Sequence, residues 1–171
     1  MTLKPVPDGF HTVTPYLTVT DASALLDFVT RAFNATAHHV LRGPDGAIAH
    51  SDVVIGDSHV MMGQAGAQWT PMPAQIYLYV PDCDAMFKQA VAAGGTTVQE
   101  PQTQFYGDRH GCVKDQNGNL WWIATHVEDV PEEEVFHDAV RNSDGAAQHA
   151  RAASAGPATR SAPLSSTVAC D

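Results

Sequence analysis

Basic residues are scarce in this sequence: Lys and Arg number 9 against 19 Asp and Glu, a formal charge of −10 at pH 7. The deficit is spread along the chain, with 11 acids to 6 bases over residues 1–127 and 8 to 3 over residues 128–171. A chain this acidic, without a basic stripe, has no surface for phosphates, which argues against nucleic acid and anionic membranes as partners. Long apolar runs are missing too. No segment approaches the roughly 20 residues needed to cross a bilayer, and the N-terminus has no basic region leading into a hydrophobic stretch, as a secretory signal would. A cytoplasmic protein is the expectation. Cysteine is limited to Cys83, Cys112 and Cys170, an odd number without metal or redox spacing, which fits a reducing compartment better than a disulfide scaffold. Patterns for a serine–histidine–acid triad, a cysteine–histidine pair or a phosphate loop are also lacking.

What is present is a duplication. The stretch Thr14-Pro15-Tyr16-Leu17-Thr18-Val19-Thr20-Asp21 returns 61 residues later as Gln75-Ile76-Tyr77-Leu78-Tyr79-Val80-Pro81-Asp82. Both copies alternate, with Pro15, Leu17 and Val19, or Ile76, Leu78 and Val80, on one face of a strand and Thr14, Tyr16 and Thr18, or Gln75, Tyr77 and Tyr79, on the other. Asp21 and Asp82 then stand where a carboxylate can cap a following helix. The offset carries Leu25 and Leu26 onto Met86 and Phe87, the turn Gly56-Asp57 onto Asn117-Gly118, and Val60-Met61-Met62 onto Trp121-Trp122-Ile123. A period of this length signals a repeated structural unit.

Read in order, the first unit is a strand at Thr12–Val19, a helix at Ala22–Phe33, and strands at Ala37–Arg42, Ala47–Ile55 and Ser58–Met62. Gly63–Ala74 reads as a linker. The second unit is a strand at Gln75–Val80, a helix at Cys83–Ala93 stopped by Gly94-Gly95, and strands at Thr96–Gln99, Gly111–Lys114 and Leu120–Thr125. The predicted fold class is therefore α+β: two βαβββ modules, at 11–63 and 74–127, within a domain at residues 1–135. A helix is expected to open at Pro131-Glu132-Glu133-Glu134. Residues 136–171 are a low-complexity tail whose Ala, Ser, Gly, Thr and Pro cannot offset the entropy of ordering, so disorder is expected there.

This order, with Asp115-Gln116-Asn117-Gly118-Asn119 before the last strand, resembles the vicinal oxygen chelate superfamily of glyoxalases, bleomycin-resistance proteins and extradiol dioxygenases. His11-Thr12-Val13-Thr14-Pro15-Tyr16-Leu17, Tyr106-Gly107-Asp108-Arg109 and Ala124-Thr125-His126-Val127-Glu128-Asp129 look like its PhnB-like branch. The resemblance covers about residues 5–135. It implies that each module's mixed sheet curls into a half-cup and that the modules form one or two cavities, commonly in a homodimer. It also implies that metal-using members draw ligands from positions corresponding here to Thr14, Met61, Gln75 and Trp122. Of these only Gln75 suits a hard or borderline metal, because Thr is a poor ligand, Met a soft one, and Trp has no acceptor. No metal site is expected, with a divalent metal as the alternative.

The alternation itself defines the ligand-binding candidates: Thr14, Tyr16, Gln75, Tyr77 and Tyr79, joined by His59 and Met61 on one closing strand and Trp122 on the other. Trp121 must face the opposite way from Trp122. Tyr106 and Arg109 belong to the aromatic and charged loop beside this cavity. Arg109 and Asp108 read either as a gate over the mouth or as an ion pair holding the loop. His59 reads as a metal ligand, a general base or a hydrogen-bonding residue, and Asp52 as a second base unless a bulge turns it to solvent. Adjacent His38 and His39 are expected on opposite faces. Aromatic walls with few polar groups suit a small organic ligand. The expected function is metal-independent binding or sequestration of an aromatic or organic ligand, in the manner of a resistance protein. The alternative is a metal-dependent lyase, isomerase or dioxygenase acting on a small oxygenated substrate.

Overall fold

The computed structural model describes residues 3–138 and 141, in two units spanning residues 1–129 and 130–171. In the second unit a short helix at residues 132–138 begins beside Pro131, whose carbonyl accepts from the backbone N–H groups of Glu134 and Val135. Apart from residues 136–138 and 141, the tail expected at 136–171 lies outside the described residues.

The first unit contains both modules. Strand β1 (Tyr16–Val19), helix α1 (Ala22–Phe33) and strands β2 (Thr36–Arg42), β3 (Ile48–Ile55) and β4 (Ser58–Gln64) form one; β5 (Gln75–Tyr79), α2 (Cys83–Ala92), β6 (Thr96–Thr103), β7 (Asp108–Lys114) and β8 (Leu120–His126) form the other. Each sheet has four strands, in the orders β1-β4-β3-β2 and β5-β8-β7-β6. In each, the first strand lies parallel to the last and the other pairings are antiparallel. Neither sheet closes on itself; β1 and β5 are edge strands, and the outer edge of β1 accepts the Met72 N–H at the Thr18 carbonyl. Both helices start at the Asp that follows the first strand: Asp21 accepts from Ala24 N–H at 2.9 Å and Asp82 from Ala85 N–H at 3.0 Å.

Element ends differ from the sequence reading for local reasons. Strand β1 starts at Tyr16 rather than Thr12, because Thr14 Oγ1 turns back to donate to the His11 carbonyl and Pro15 has no N–H to give to a ladder. Strand β6 runs on to Thr103 through Pro101, which an edge strand tolerates, and its register slips between Gln99 and Gln102. The offset of 61 holds for β1 with β5 and β4 with β8. It becomes 60 for β3 with β7, since Asp52 lies opposite Met61 as Cys112 lies opposite Trp122. The loop after β7 is longer than the turn after β3, and it absorbs the extra residue.

The apolar faces of both sheets share one core. Leu17, Val19, Val53 and Met62 from the first sheet and Val113, Trp121 and Ile123 from the second meet Leu25, Phe28, Val29 and Phe33 of α1 and Phe87 and Ala90 of α2. Trp121 is fully buried, with its ring 4.9 Å from that of Phe33 and 6.3 Å from that of Phe28. Parity then turns the Tyr16 and Tyr77 faces of the two sheets away from the core.

The Asp115–Asn119 motif fastens this assembly. The buried Asp115 carboxylate accepts from the N–H groups of Asn117 and Asn119, from the Asn119 amide and from Trp121 Nε1, at 2.8–3.0 Å. Asn117 in turn donates to the Asp21 carbonyl at 2.9 Å and accepts from the Asp21 N–H at 2.8 Å, tying the loop to the cap of α1. Asn119 accepts from Ala74 N–H at 3.0 Å, holding the linker at the start of β5. Replacing Asp115 by Ala strands four donors, one of them an indole in the core. It is expected to cost roughly 3–5 kcal/mol, the range for breaking a buried charged network. Asn117→Ala, at the exposed end of the motif, is expected to cost about 1 kcal/mol. Urea denaturation midpoints of the two variants measure the difference; equal midpoints would place the strength of the fastening elsewhere.

Candidate functional site

A groove of about 750 Å³ opens beside the free edge of β5. One wall is Ile76–Pro81; the other is the β3–β4 hairpin from Val54 to Val60, with Val13, Pro15, Phe33, Thr36 and Met86 completing it. His59, Tyr77 and Tyr79, three of the residues proposed from parity, therefore meet around one space of the size that takes a small organic molecule.

His59 does not stand alone in this wall. Its Nδ1 lies 2.9 and 3.0 Å from the two carboxylate oxygens of Asp52, and both side chains are buried. Val53 and Ile55 enter the core, so Asp52 falls on the face of Met61 and His59. In the neutral imidazole a carboxylate at Nδ1 selects the tautomer in which Nδ1 donates and Nε2 accepts. Two neighbours were not evident from the sequence. The Phe10 ring is stacked on His59 at 3.8 Å between centroids, and His38 meets it edge-on at 5.5 Å. The His38 contact has a definite cause. A bulge between Ala37 and His39 interrupts the alternation that was expected to separate His38 from His39.

The outward face of the second sheet carries a different cluster. Asp108, buried at the start of β7, accepts from Tyr79 Oη at 2.8 Å, Tyr77 Oη at 3.3 Å and His126 Nδ1 at 2.8 Å. His126 Nε2 lies 2.9 Å from Asp129, so each ring nitrogen faces a carboxylate and the imidazolium is favoured. Burial would raise the Asp108 pKa, but the hydrogen bonds from His126, Tyr79 and Tyr77 outweigh it and leave the carboxyl below its ordinary value. Bonds to Asp129 and then Asp108 raise His126. Burial first, then the negative charge developing beside Tyr106 and Asp108, raises Tyr77 well above an ordinary phenol, and the Asp108 bond raises Tyr79. Next to them His110 shares a 2.8 Å hydrogen bond with Tyr106 Oη and meets Trp122 edge-on at 5.3 Å. Its burial holds the imidazole pKa down, and Nδ1 has no partner.

The remaining candidates lie outside the lining of the groove. Tyr16 Oη reaches towards His50 Nδ1 at 3.4 Å over Gly63, where a β-carbon would come within 2.7 Å of the hydroxyl. Met61 is opposite Tyr16 on the same face, and Thr14 is turned to His11. Arg109 grips Asp84 of α2 through two 2.7 Å bonds, and Asp108 has His126 instead, so the ion pair forms with a different acid from the one considered in the sequence. Gln75 Oε1 accepts from Trp122 Nε1 at 3.3 Å. The four positions at which the superfamily holds metals thus carry a hydroxyl turned to the backbone, a thioether, an engaged amide and an indole. This set does not fit a divalent cation, and among the described residues no three His, Cys, Asp or Glu side chains converge as a metal cage. No described helix is long and apolar enough to cross a membrane.

The signs of these shifts give a pH window. Asp108, lowered in the fold, stabilises it above the ordinary carboxylate range and loses that contribution as pH falls through its folded value. His126, raised in the fold, contributes below its unfolded value and loses that as pH rises through its folded value. The cluster is therefore tightest in mildly acidic solution. NMR titration is expected to place the His126 midpoint above the ordinary value of about 6.5, and Asp129→Asn is expected to bring it down. A His126 midpoint unaffected by Asp129→Asn would remove the carboxylate from this account.

Comparison with known proteins agrees with this architecture. The sequence profile of the Glyoxalase/Bleomycin resistance protein/Dioxygenase superfamily matches residues 9–123. An uncharacterized protein of Mycobacterium bovis is 34% identical over 144 residues, covering 78% of this chain and 95% of that protein. Among solved structures, TioX from Micromonospora sp. ML1 superposes with a TM-score of 0.59 at 30% identity, covering 68% of this chain and 99% of that one. A glyoxalase/bleomycin resistance protein/dioxygenase family enzyme from Burkholderia phytofirmans PsJN shares the fold, with a TM-score of 0.53 at 16% identity over 67% and 96% of the two chains. With the profile spanning most of both βαβββ modules, the chain belongs to the glyoxalase/bleomycin resistance protein/dioxygenase superfamily.

Proposed function

We propose that this protein is a PhnB-like, metal-independent binder of a small aromatic ligand, acting in the cytoplasm to sequester it as a resistance protein does. The observation that carries the reading is the groove: about 750 Å³, walled by Tyr77, Tyr79 and His59. Flat phenol rings supply contact area with few torsions to freeze, and the phenol and imidazole groups orient a polar substituent. The four superfamily ligand positions offer no donor set for a metal-bound substrate oxygen, so binding rests on stacking and hydrogen bonds.

The working form in this reading is a homodimer. Tyr16, Tyr77 and Tyr79 are 50%, 42% and 67% exposed on faces turned away from the core, and β5 is an edge strand. A second copy of the chain would cover both.

A panel of planar aromatic compounds, screened by intrinsic tryptophan fluorescence and calorimetry, is expected to yield a ligand. Tyr79→Ala should then weaken its binding roughly two- to tenfold, the worth of one aromatic contact. Elemental analysis after incubation with manganese, iron, nickel and zinc is expected to find well under about one equivalent per chain, the stoichiometry of an ordinary site. Affinity untouched by both Tyr77→Ala and Tyr79→Ala would count against the groove, and stoichiometric metal would count against the metal-independent reading.

The Asp52–His59 pair favours one second reading, an enzyme of the same superfamily in which Nε2 serves as general base on a small oxygenated substrate. Under it, His59→Ala abolishes turnover while circular dichroism remains native. A variant with full activity would remove His59 from any mechanism.

A further inference from the structure

Residues 3–13 run outside the sheets, and within this stretch only the Phe10 side chain is withdrawn from solvent. Among the described residues the hydrogen bonds of this segment stay within it: Lys4 to Asp8, Phe10 N–H to the Pro7 carbonyl, and Thr14 Oγ1 to the His11 carbonyl. Nothing polar ties it to the body it crosses. What holds it there is the Phe10 ring on the His59 imidazole, nearly parallel at 18° with centroids 3.8 Å apart. Gly9 allows the approach. Its φ is +86°, and a β-carbon there would stand 3.2 Å from His59 Nε2.

The segment therefore covers the two features of His59 that a ligand would use: its flat face and its free nitrogen. In the neutral imidazole whose Nδ1 donates to Asp52, Nε2 is an acceptor, and among the described residues it has no hydrogen-bond partner. Asp52 holds Nδ1 of the ring and His38 meets it edge-on at 5.5 Å, while the large groove, lined by both His59 and Val13 at the end of the segment, adjoins it. An aromatic ring lying parallel to a histidine, on a tether without other attachments, is the geometry of an occupied stacking site.

We propose that Phe10 is a built-in competitor for the ligand. The site on His59 takes a planar phenol, which displaces Phe10, stacks on the imidazole and donates its O–H to Nε2. The proposal rests on the groove reading above and adds to it the ligand class, the anchoring atom and the segment that must move. The hydroxyl is required because, in the neutral imidazole whose Nδ1 donates to Asp52, Nε2 is an acceptor. An aryl ether of the same shape would leave that nitrogen buried and unsatisfied.

The test uses 4-nitrophenol and 4-nitroanisole as probes, with the full-length chain and its Phe10→Ala variant, by calorimetry or tryptophan quenching. Phe10→Ala is expected to bind 4-nitrophenol roughly two- to tenfold more tightly than wild type, the equivalent of one released aromatic pair. In the same variant 4-nitroanisole is expected to bind about tenfold more weakly than 4-nitrophenol, the worth of one unmade hydrogen bond. His59→Gln should erase that difference. Diethyl pyrocarbonate labelling, read by peptide mass spectrometry, gives a second measurement independent of folding in the His59 variant. Labelling of His59 should accelerate in Phe10→Ala and be suppressed again by 4-nitrophenol.

Equal affinity of wild type and Phe10→Ala, or equal affinity for the two probes, overturns the proposal. If Tyr79→Ala still weakens 4-nitrophenol in that case, the groove reading survives and only the displaced segment is lost. If 4-nitrophenol binds no variant, the phenol assignment falls, while another aromatic ligand sensitive to Tyr79→Ala would still support the groove.

Discussion

Trp121 is the side chain through which two copies of one module become a single body. It belongs to the second sheet, packs on Phe28 and Phe33 from the helix of the first module, and gives its indole N–H to Asp115. An indole fully withdrawn from water contributes a large area of apolar burial, and its polar end must find an acceptor there. Asp115 supplies that acceptor and passes the constraint on, organising the loop that carries Asn117 to the cap of α1. Because the apolar faces of both sheets are used against each other and the helices, the polar-aromatic faces are left outward. The placement of Tyr16, Met61, Tyr77, Tyr79 and Trp122 follows from this arrangement.

The two outward faces then differ in chemistry. The first module holds an imidazole bonded through Nδ1 to a buried carboxylate and pressed under an aromatic ring. The second holds a charged cluster, in which Asp108 collects two phenols and an imidazolium. A buried carboxylate with three donors is well satisfied and rigidifies what surrounds it. It sets the position of Tyr77 and Tyr79, two residues that line the groove. The Asp108 cluster thus braces Tyr77 and Tyr79, while the Asp52–His59 pair leaves one ring nitrogen of His59 without a partner among the described residues.

Much of this was legible in the sequence because strands repeat every two residues. The duplication, both helix caps, the α+β class and the sorting of Trp121 to the core and Trp122 to the polar face all follow from alternation and from Asp21 and Asp82. What alternation could not supply were the places where it is broken. The bulge beside His38 brings that ring to His59, the extra residue after β7 shifts the repeat from 61 to 60, and Pro101 continues a strand at an edge. Contacts from outside the repeat were equally hidden. Phe10 comes from a lead-in without any periodicity, and nothing local marks Asp84 as the partner of Arg109.

The corrected register separates what the duplication kept from what each half gained. Tyr16 and Tyr77 are counterparts at an offset of 61, His50 and His110 at 60, and both pairs persist as rings 5.7 and 5.9 Å apart. This tyrosine–histidine pair is the common inheritance of the two faces. The Asp52–His59 pair has no such counterpart, since Cys112 and Leu120 occupy the equivalent positions. A symmetric ligand cage needs matching donors from both halves, whereas a groove that grips an unsymmetrical molecule needs a stacking wall on one side and a polar anchor on the other. Under the proposed function Tyr77 and Tyr79 supply the first and His59 the second. The loss of symmetry between the modules, more than any single residue, supports the proposal of an organic ligand in place of a chelated metal.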